Sequence, residues 1–445
     1  MKNFKFLFLM ASALLGACST DIDGPKSGEP SAPVSETRDV NEILEIAADA
    51  YKILNNNSRN ELSLSVSDIV PVRKSLARSE TAEPVLYAVN YGEGRGFALV
   101  SSRRDIEPLI GLIENGDYSD SDTSVGPFNL MLDCAEMYAS AKKIEIPDTN
   151  KIEIGIRPYY DTIINVFVSE PRIKVQWGQS WPENMFCPNK IAGCAPVALG
   201  QVMTFIKSPS EISITFNSSG ERLALDWEDI GKHTLSDNFG VSIPPSSITD
   251  VHYDYCDASL SAHRTIGLLI RELGHRMNAA YEAKGTVAYD DELFTTTKSL
   301  LTYSSVTLET DLRNLYADAN NSNTAIEIIG QNIGSNPNDR NCWHVWTIDG
   351  AFREEIKIYY VTGVGYPAIL TYTEVSSRQN RYIHNNWGYC GYKNGYFLEG
   401  VYNLSRNPKN PPESSERPPI IYNPTNTRDS DSNYTPLKYI KILKI

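Results

Sequence analysis

The sequence predicts an α+β protein of two unequal folded units behind an exported leader. Three observations carry this. In the later unit, helical periodicity comes first and strand-like runs follow, the order of an α+β fold rather than an alternating α/β fold. A stretch with Pro147, Pro158 and Pro171 and no sustained helical pattern, 144–172, separates the two units. The chain also opens on a short basic and apolar leader. With 41% apolar and 22% charged residues among 445, it can fill its cores, which excludes a mostly disordered, collagen-like or coiled-coil chain. A net charge of −14 excludes broad nucleic-acid binding, which needs basic patches to neutralise phosphate.

The elements follow in order. Lys2 and Lys5 lead into an apolar run from Phe6 to Leu15. A spanning helix needs about 20 residues, so this run has signal-peptide length instead. It ends in Leu15-Gly16-Ala17-Cys18, which resembles the lipobox of bacterial lipoproteins. Residues 1–18 therefore read as a lipoprotein signal peptide, with Cys18 as the lipid acceptor. An ordinary secretory signal with a stray cysteine is the alternative, and either way the chain is exported. Ser19 follows the cysteine where Asp would retain it, which points to the outer membrane, on its periplasmic side or at the cell surface. Residues 19–37, rich in Pro, Ser, Gly and Glu, read as a flexible tether.

The first unit, 38–165, is predicted as a helix over 38–54, a hairpin of strands 85–90 and 97–101 turned by Gly92, Gly94 and Gly96, and a helix over 129–143. The second, 172–445, opens with a helix over 194–207, whose first turn holds Pro196. A helix over 260–282 follows, then strands at 325–329, 344–349, 356–363, 367–373 and 380–387. A Pro, Asn and Ser-rich surface loop, 404–436, leads to a closing strand at 437–445. The acidic run Asp290-Asp291-Glu292 reads as a solvated loop.

The chemistry concentrates at one cysteine. Cys194 follows Gly193 and opens a helix, where the dipole favours thiolate. Thiolate is the nucleophile, and a histidine would stabilise it and later deliver a proton. His344, in Trp343-His344-Val345-Trp346, is the best candidate, with His384 next. An imidazole base needs a third group to fix its ring. Asn386 supplies an oxygen for that, and Trp387 a cover against water. Strand alternation puts Tyr382, His384 and Asn386 on one face. The order Cys, His, Asn, with 150 residues between the first two, has papain-like spacing. No metal-ligand pattern such as H-E-x-x-H is present, and neither a metal nor a cofactor is expected.

Together, Trp177-Gly178-Gln179, Gly193-Cys194, Gln201, His344 with Asp349-Gly350, and His384-x-Asn386-Trp387-Gly388 resemble the streptopain family of secreted bacterial cysteine peptidases. Upstream, Tyr87-Ala88-Val89-Asn90, Gly96-Phe97-Ala98-Leu99-Val100-Ser101 and Gly116-Asp117-Tyr118 resemble its propeptide. The resemblance implies a papain-like domain, with a cysteine helix packed on an antiparallel sheet that carries His and Asn, behind a small α+β inhibitory propeptide. It further implies Cys194 as nucleophile, His344 as acid/base, Gln179 with the Cys194 N–H as oxyanion donors, and Asn386 and Trp387 as orienter and cover. The partners it implies are protein or peptide substrates, the chain's own propeptide, and a membrane through the N-terminal lipid. Two departures stand out. Cys342-Trp343 occupy a place where the family has glycine, and Gly388-Tyr389-Cys390-Gly391 replaces Gly-Trp-Gly-Gly.

The expected function is a lipid-anchored cysteine endopeptidase made as a zymogen, working through a Cys194 thioester. Trp343 motivates a second class, a catalytically silent peptidase-fold lipoprotein acting in binding or inhibition. A third, a transglutaminase or amidase, fits less well, because those usually orient His with Asp. Of seven cysteines, Cys187, Cys256, Cys342 and Cys390 allow three connectivities. Cys342 with Cys390 is the favoured pair, since the two flank His344 and Asn386, and Cys134 is the candidate left over.

Overall fold

The computed structural model describes residues 2–5, 36–54, 64–72, 84–122, 124–141, 159–218, 220–234, 258–283, 285–331, 343–364, 369–402 and 437–445. Most of the leader, the tether, the 404–436 loop and the Cys342 end of the expected disulfide lie outside these residues.

One 12-stranded sheet runs through both units. Ten of its strands run in the order Ser304–Glu309, Leu437–Lys444, Thr324–Gln331, Trp343–Val364, Ile369–Asn386, Gly395–Leu398, Leu109–Ile113, Phe97–Ser101, Leu86–Asn90 and Ile69–Pro71, and Lys2–Lys5 and Tyr159–Ser169 pair off that path. Each neighbouring pair is antiparallel. The units join where Gly395, Tyr396 and Phe397 pair with Ile113, Leu112 and Gly111. A methyl group at Gly395 would lie 2.4 Å from the Leu112 carbonyl oxygen, so only glycine lets the two backbones meet there.

The sheet separates two apolar clusters. One lies under helices Val40–Leu54 and Gly126–Ala141 and includes Phe97, Phe128, Trp346, Trp387 and Phe397. The other lies under helices Cys194–Ile206 and Leu260–Arg276 and includes Trp177, Val197, Leu269 and Val345. The strand from Trp343 serves both, because side chains alternate across its faces. Val345 enters the second cluster and Trp346 the first.

The helices expected at 38–54 and 194–207 form as Val40–Leu54 and Cys194–Ile206, and the 86–101 hairpin pairs as predicted. Four expectations are corrected. The helix expected over 260–282 stops at Arg276; Asn278 takes a left-handed φ of 49°, which asparagine tolerates, and Ala280–Glu282 turns into a strand. The strands expected at 344–349 and 356–363 are one strand, Trp343–Val364, and 367–373 with 380–387 are another, Ile369–Asn386. Their polar middles interrupt the hydrophobic pattern, while the ladder continues through register shifts at Ile348/Gly350 and Ile358/Tyr359. The separating stretch 144–172 contains a strand, Tyr159–Ser169, lying between Pro158 and Pro171 and paired with Ala351–Val361. Finally, Asp290-Asp291-Glu292 is the first turn of helix Asp290–Leu300, where carboxylates complement the helix dipole, rather than a loop. Among the described residues no helix is long and apolar enough to cross a membrane.

Candidate active site

Cys194 begins its helix because Gly193 before it has a φ of 93° and no room for a side chain. A methyl there would lie 2.9 Å from the Thr286 side chain. The thiol receives backbone N–H groups of Val345, Ala195 and Cys194 itself. Its pKa is nevertheless raised, because burial outweighs those donors. The sequence argument from the helix dipole pointed the other way. A dipole's help is modest, and removal from water penalises the charged form more.

His344 sits one residue before Val345, half-buried. Its ring lies against Gly126, at the start of the first unit's second helix. A methyl at Gly126 would fall 2.6 Å from both Cε1 and Nε2 of His344. Burial alone lowers the His344 pKa to about 4, so the imidazole is neutral at pH 7. Neither Cys194 nor Asn386 contributes to that shift.

Asn386 is buried, but it is engaged elsewhere. Its Nδ2 donates to the Val175 carbonyl at 2.9 Å, and its Oδ1 accepts from Gly388 N at 3.3 Å. Trp387 is buried with its Nε1 donating to Lys393 O at 2.5 Å. Its ring lies 5.6 Å from that of Trp346 and 6.2 Å from that of Phe128, a first-unit residue. The structure thus brings Cys194 alongside the His344 strand and Asn386 onto the neighbouring strand. Among the described residues it does not join His344 to Asn386.

Gln179 is half-buried and its side chain is hydrogen-bonded to the hydroxyl of Tyr389. Burial and the nearby Cys194 sulfur push the Tyr389 pKa up to about 12. Gln201 supports this strip from below, its Oε1 accepting the Trp177 N–H at 3.0 Å. The sequence reading met Tyr389 only as a departure from a motif. A lone tyrosine among glycines carries no periodic signal of its placement.

His384 is a connector. Its Nδ1 is 2.7 Å from Asp349 Oδ1 and its Nε2 is 3.5 Å from Glu114 Oε2 of the first unit. Burial works to lower its pKa, but the two carboxylates outweigh it and hold the pKa up at about 10. The loop after Trp387 is gripped from the same side. Lys393, 1% exposed, pairs with Asp122 at 2.7 Å, and Asn115 bonds Gly391 O and Lys393 N at 2.8 Å each.

A half-buried thiol at a helix start, a histidine on the strand beside it and a separate unit seated on that histidine are the parts of a cysteine-peptidase precursor. Comparison with known proteins gives the family. Residues 177–397 match the Peptidase C10 family, and residues 32–139 match the Spi protease inhibitor family. The chain thus carries a C10, or streptopain-family, cysteine peptidase domain behind a propeptide inhibitor domain, the organisation of a zymogen. Among solved structures it is similar to a fragment of prointerpain A from Prevotella intermedia carrying a cysteine-to-alanine substitution. Identity is 16% and the TM-score 0.42, over 73% of this chain and 92% of that one. No curated protein matches significantly.

Proposed function

We propose that the protein is a lipid-anchored endopeptidase that hydrolyses peptide bonds through a thioester on Cys194, with His344 as acid and base. One observation carries the reading: Gly126 of the prodomain is seated on the His344 ring, while Val345, one residue on, holds the Cys194 sulfur. In this reading the prodomain residue holds the His344 ring away from Cys194. Withdrawing Gly126 opens space for the imidazole to turn to the thiol. The pair can then ionise as thiolate and imidazolium, because each charge offsets the burial cost of the other.

The chemistry follows from the residue types. The thiolate attacks the peptide carbonyl, and the resulting oxyanion meets the Cys194 N–H and the Gln179 amide. His344 protonates the leaving amine as the C–N bond breaks. Water, deprotonated by His344, then cleaves the thioester. Asn386 orients His344 once the ring has turned, and Trp387 shields that contact.

Tyr159–Ser169 pairs with the strand that begins at Trp343, and Arg172 donates to Thr324 O at 3.0 Å and Ala319 O at 2.7 Å. Residues 159–172 are thus held to the peptidase, so in this reading the maturation cut falls before Tyr159. Export as an outer-membrane lipoprotein rests on Cys18 and Ser19.

The test is casein hydrolysis with N-terminal sequencing of the processed form. Wild type should cleave casein and begin within 142–158, and Cys194→Ala should remain full length and inactive. Unchanged hydrolysis by Cys194→Ala would defeat the mechanism, and an inactive wild type would favour the silent, binding or inhibitory reading. Lipid labelling of wild type but not of Cys18→Ser tests the anchor.

A further inference from the structure

The prodomain segment that reaches His344 also reaches a second point on the peptidase. Gly126 lies on the His344 ring, and Asp122, four residues earlier, lies in a built seat. Four residues span at most about 14 Å, so the seat is close to the proposed base. Its two donors belong to the peptidase. Lys393 Nζ is 2.7 Å from Asp122 Oδ2, and the Tyr392 hydroxyl donates to the same oxygen at 3.0 Å. The N–H and hydroxyl of Ser124 cap the other oxygen, Oδ1, at 3.0 and 2.6 Å. Burial works to raise the Asp122 pKa, but Lys393 and Ser124 hold it well below the usual carboxylate range. Burial and Asp122 push the Tyr392 pKa up to about 12, so the phenol keeps the proton it donates.

The seat stays with the peptidase when the prodomain leaves. The Lys393 carbonyl accepts from Trp387 Nε1 at 2.5 Å, and the Tyr392 N–H donates to Tyr389 O at 2.9 Å. Cys390 N donates to Trp177 O at 3.3 Å, and a methyl at Gly391 would lie 2.3 Å from Gln176 Oε1. All these contacts lie within the peptidase and fix the loop. Departure of the prodomain strips Lys393 of Asp122 and of the Phe128 ring, 4.9 Å from its Nζ. An ammonium and a hydroxyl are then left aimed at one point. We propose that Tyr392 and Lys393 form a carboxylate subsite of the peptidase, which takes an aspartate or glutamate side chain of the substrate within about four residues of the cleaved bond. The inference rests on the peptidase reading and names a substrate class for it. Asp122 fills the subsite in the precursor as a substrate carboxylate fills it afterwards. A glutamine reaches the same place without a charge for Lys393, and a hydrogen bond between charged groups is the stronger one, so the subsite discriminates by charge.

The experiment uses peptide pairs that differ only in glutamate or glutamine, placed in turn at each position within that reach on either side of the cleaved bond. Each enzyme is expressed as the full chain and matured with a trace of wild type. At a position served by the subsite, wild type should cleave the glutamate peptide about 10- to 100-fold better in kcat/KM, the range for a hydrogen bond to a charged group. That ratio should fall close to unity in Lys393→Met and shrink several-fold in Tyr392→Phe, which removes only the hydroxyl. Lys393→Glu should instead prefer lysine at the same position. Equal cleavage of both peptides by a wild type that digests casein would overturn the subsite and leave the peptidase reading standing. So would a preference that survives Lys393→Met. Should the lysine variants not fold, an unchanged ratio in Tyr392→Phe overturns the proposal. If wild type cleaves nothing, the peptidase reading fails, and the seat is read on the full chain instead. Asp122→Ala vacates it there, and sodium acetate should raise the unfolding midpoint above that in sodium chloride of equal ionic strength. Adding Lys393→Met should remove that difference, and no difference between the salts in Asp122→Ala would overturn the seat.

Discussion

The proposed nucleophile, Cys194, and the proposed base, His344, have different surroundings. Around Cys194 the neighbours named among the described residues belong to the peptidase: Val345, Ala195, Gly193 against Thr286, and the Gln179–Tyr389 pair. Around His344 and the loop after Trp387, much of the wall is prodomain: Gly126, Phe128, Asp122, Asn115 and Glu114. The prodomain thus meets His344 and the loop after Trp387. A precursor built this way needs only the base side to be released for the site to assemble.

The comparison breaks most sharply at the nucleophile. Cys194→Ala should abolish hydrolysis, by about a million-fold in kcat by analogy with other single-nucleophile deletions, with little change in folding. Residual cleavage near the wild-type rate would mean that another group does the chemistry. Next is the wedge itself. Gly126→Ala places a methyl 2.6 Å from the His344 ring, so the prodomain must shift. Maturation should quicken several-fold in a time course on gels, while kcat of the matured form stays unchanged. Gly395→Ala tests the other seam. Its methyl would meet Leu112 O at 2.4 Å, and the prodomain should exchange its amide hydrogens faster.

The pH response is smaller and has a definite sign. The closed precursor holds the His344 pKa at about 4, below the ordinary histidine value of about 6.5. The released state therefore binds a proton that the closed state refuses. Closure is strongest above about pH 6.5 and weakens as pH falls toward 4. The Glu114 carboxyl is held below its usual value because His384 outweighs its burial, so it adds to the loss only at still lower pH. His384, with its pKa up at about 10, stays charged across this window. Hydrogen exchange of the 126–141 helix in Cys194→Ala should rise from pH 7.5 to pH 5, and a flat profile would remove His344 as the cause.

The peptidase parts were legible where local signals coincide. Cys194 combines a preceding glycine, Pro196 and a helical period, and Gln179 stands in the Trp177-Gly178 frame. The strand 159–169 was hidden because prolines on either side read as linker, although they lie just outside it. The partners of Asn386 were illegible for another reason: the Val175 carbonyl lies 211 residues away, and no local pattern encodes that contact. The seat of Gly126 on His344 is equally non-local. The rise in the Cys194 pKa was missed because burial is a property of the assembled core rather than of the helix end.

The shared sheet has one more consequence. While the prodomain is in place, strand Gly395–Leu398 has a neighbour on both sides. Once the prodomain leaves, the amides and carbonyls that faced Gly111, Leu112 and Ile113 are open to solvent. The matured form is thus born with a fresh sheet margin beside the strand that carries Asn386. That margin is only four residues long, too short to template an aggregate readily, yet shaped to accept an extended segment by strand addition.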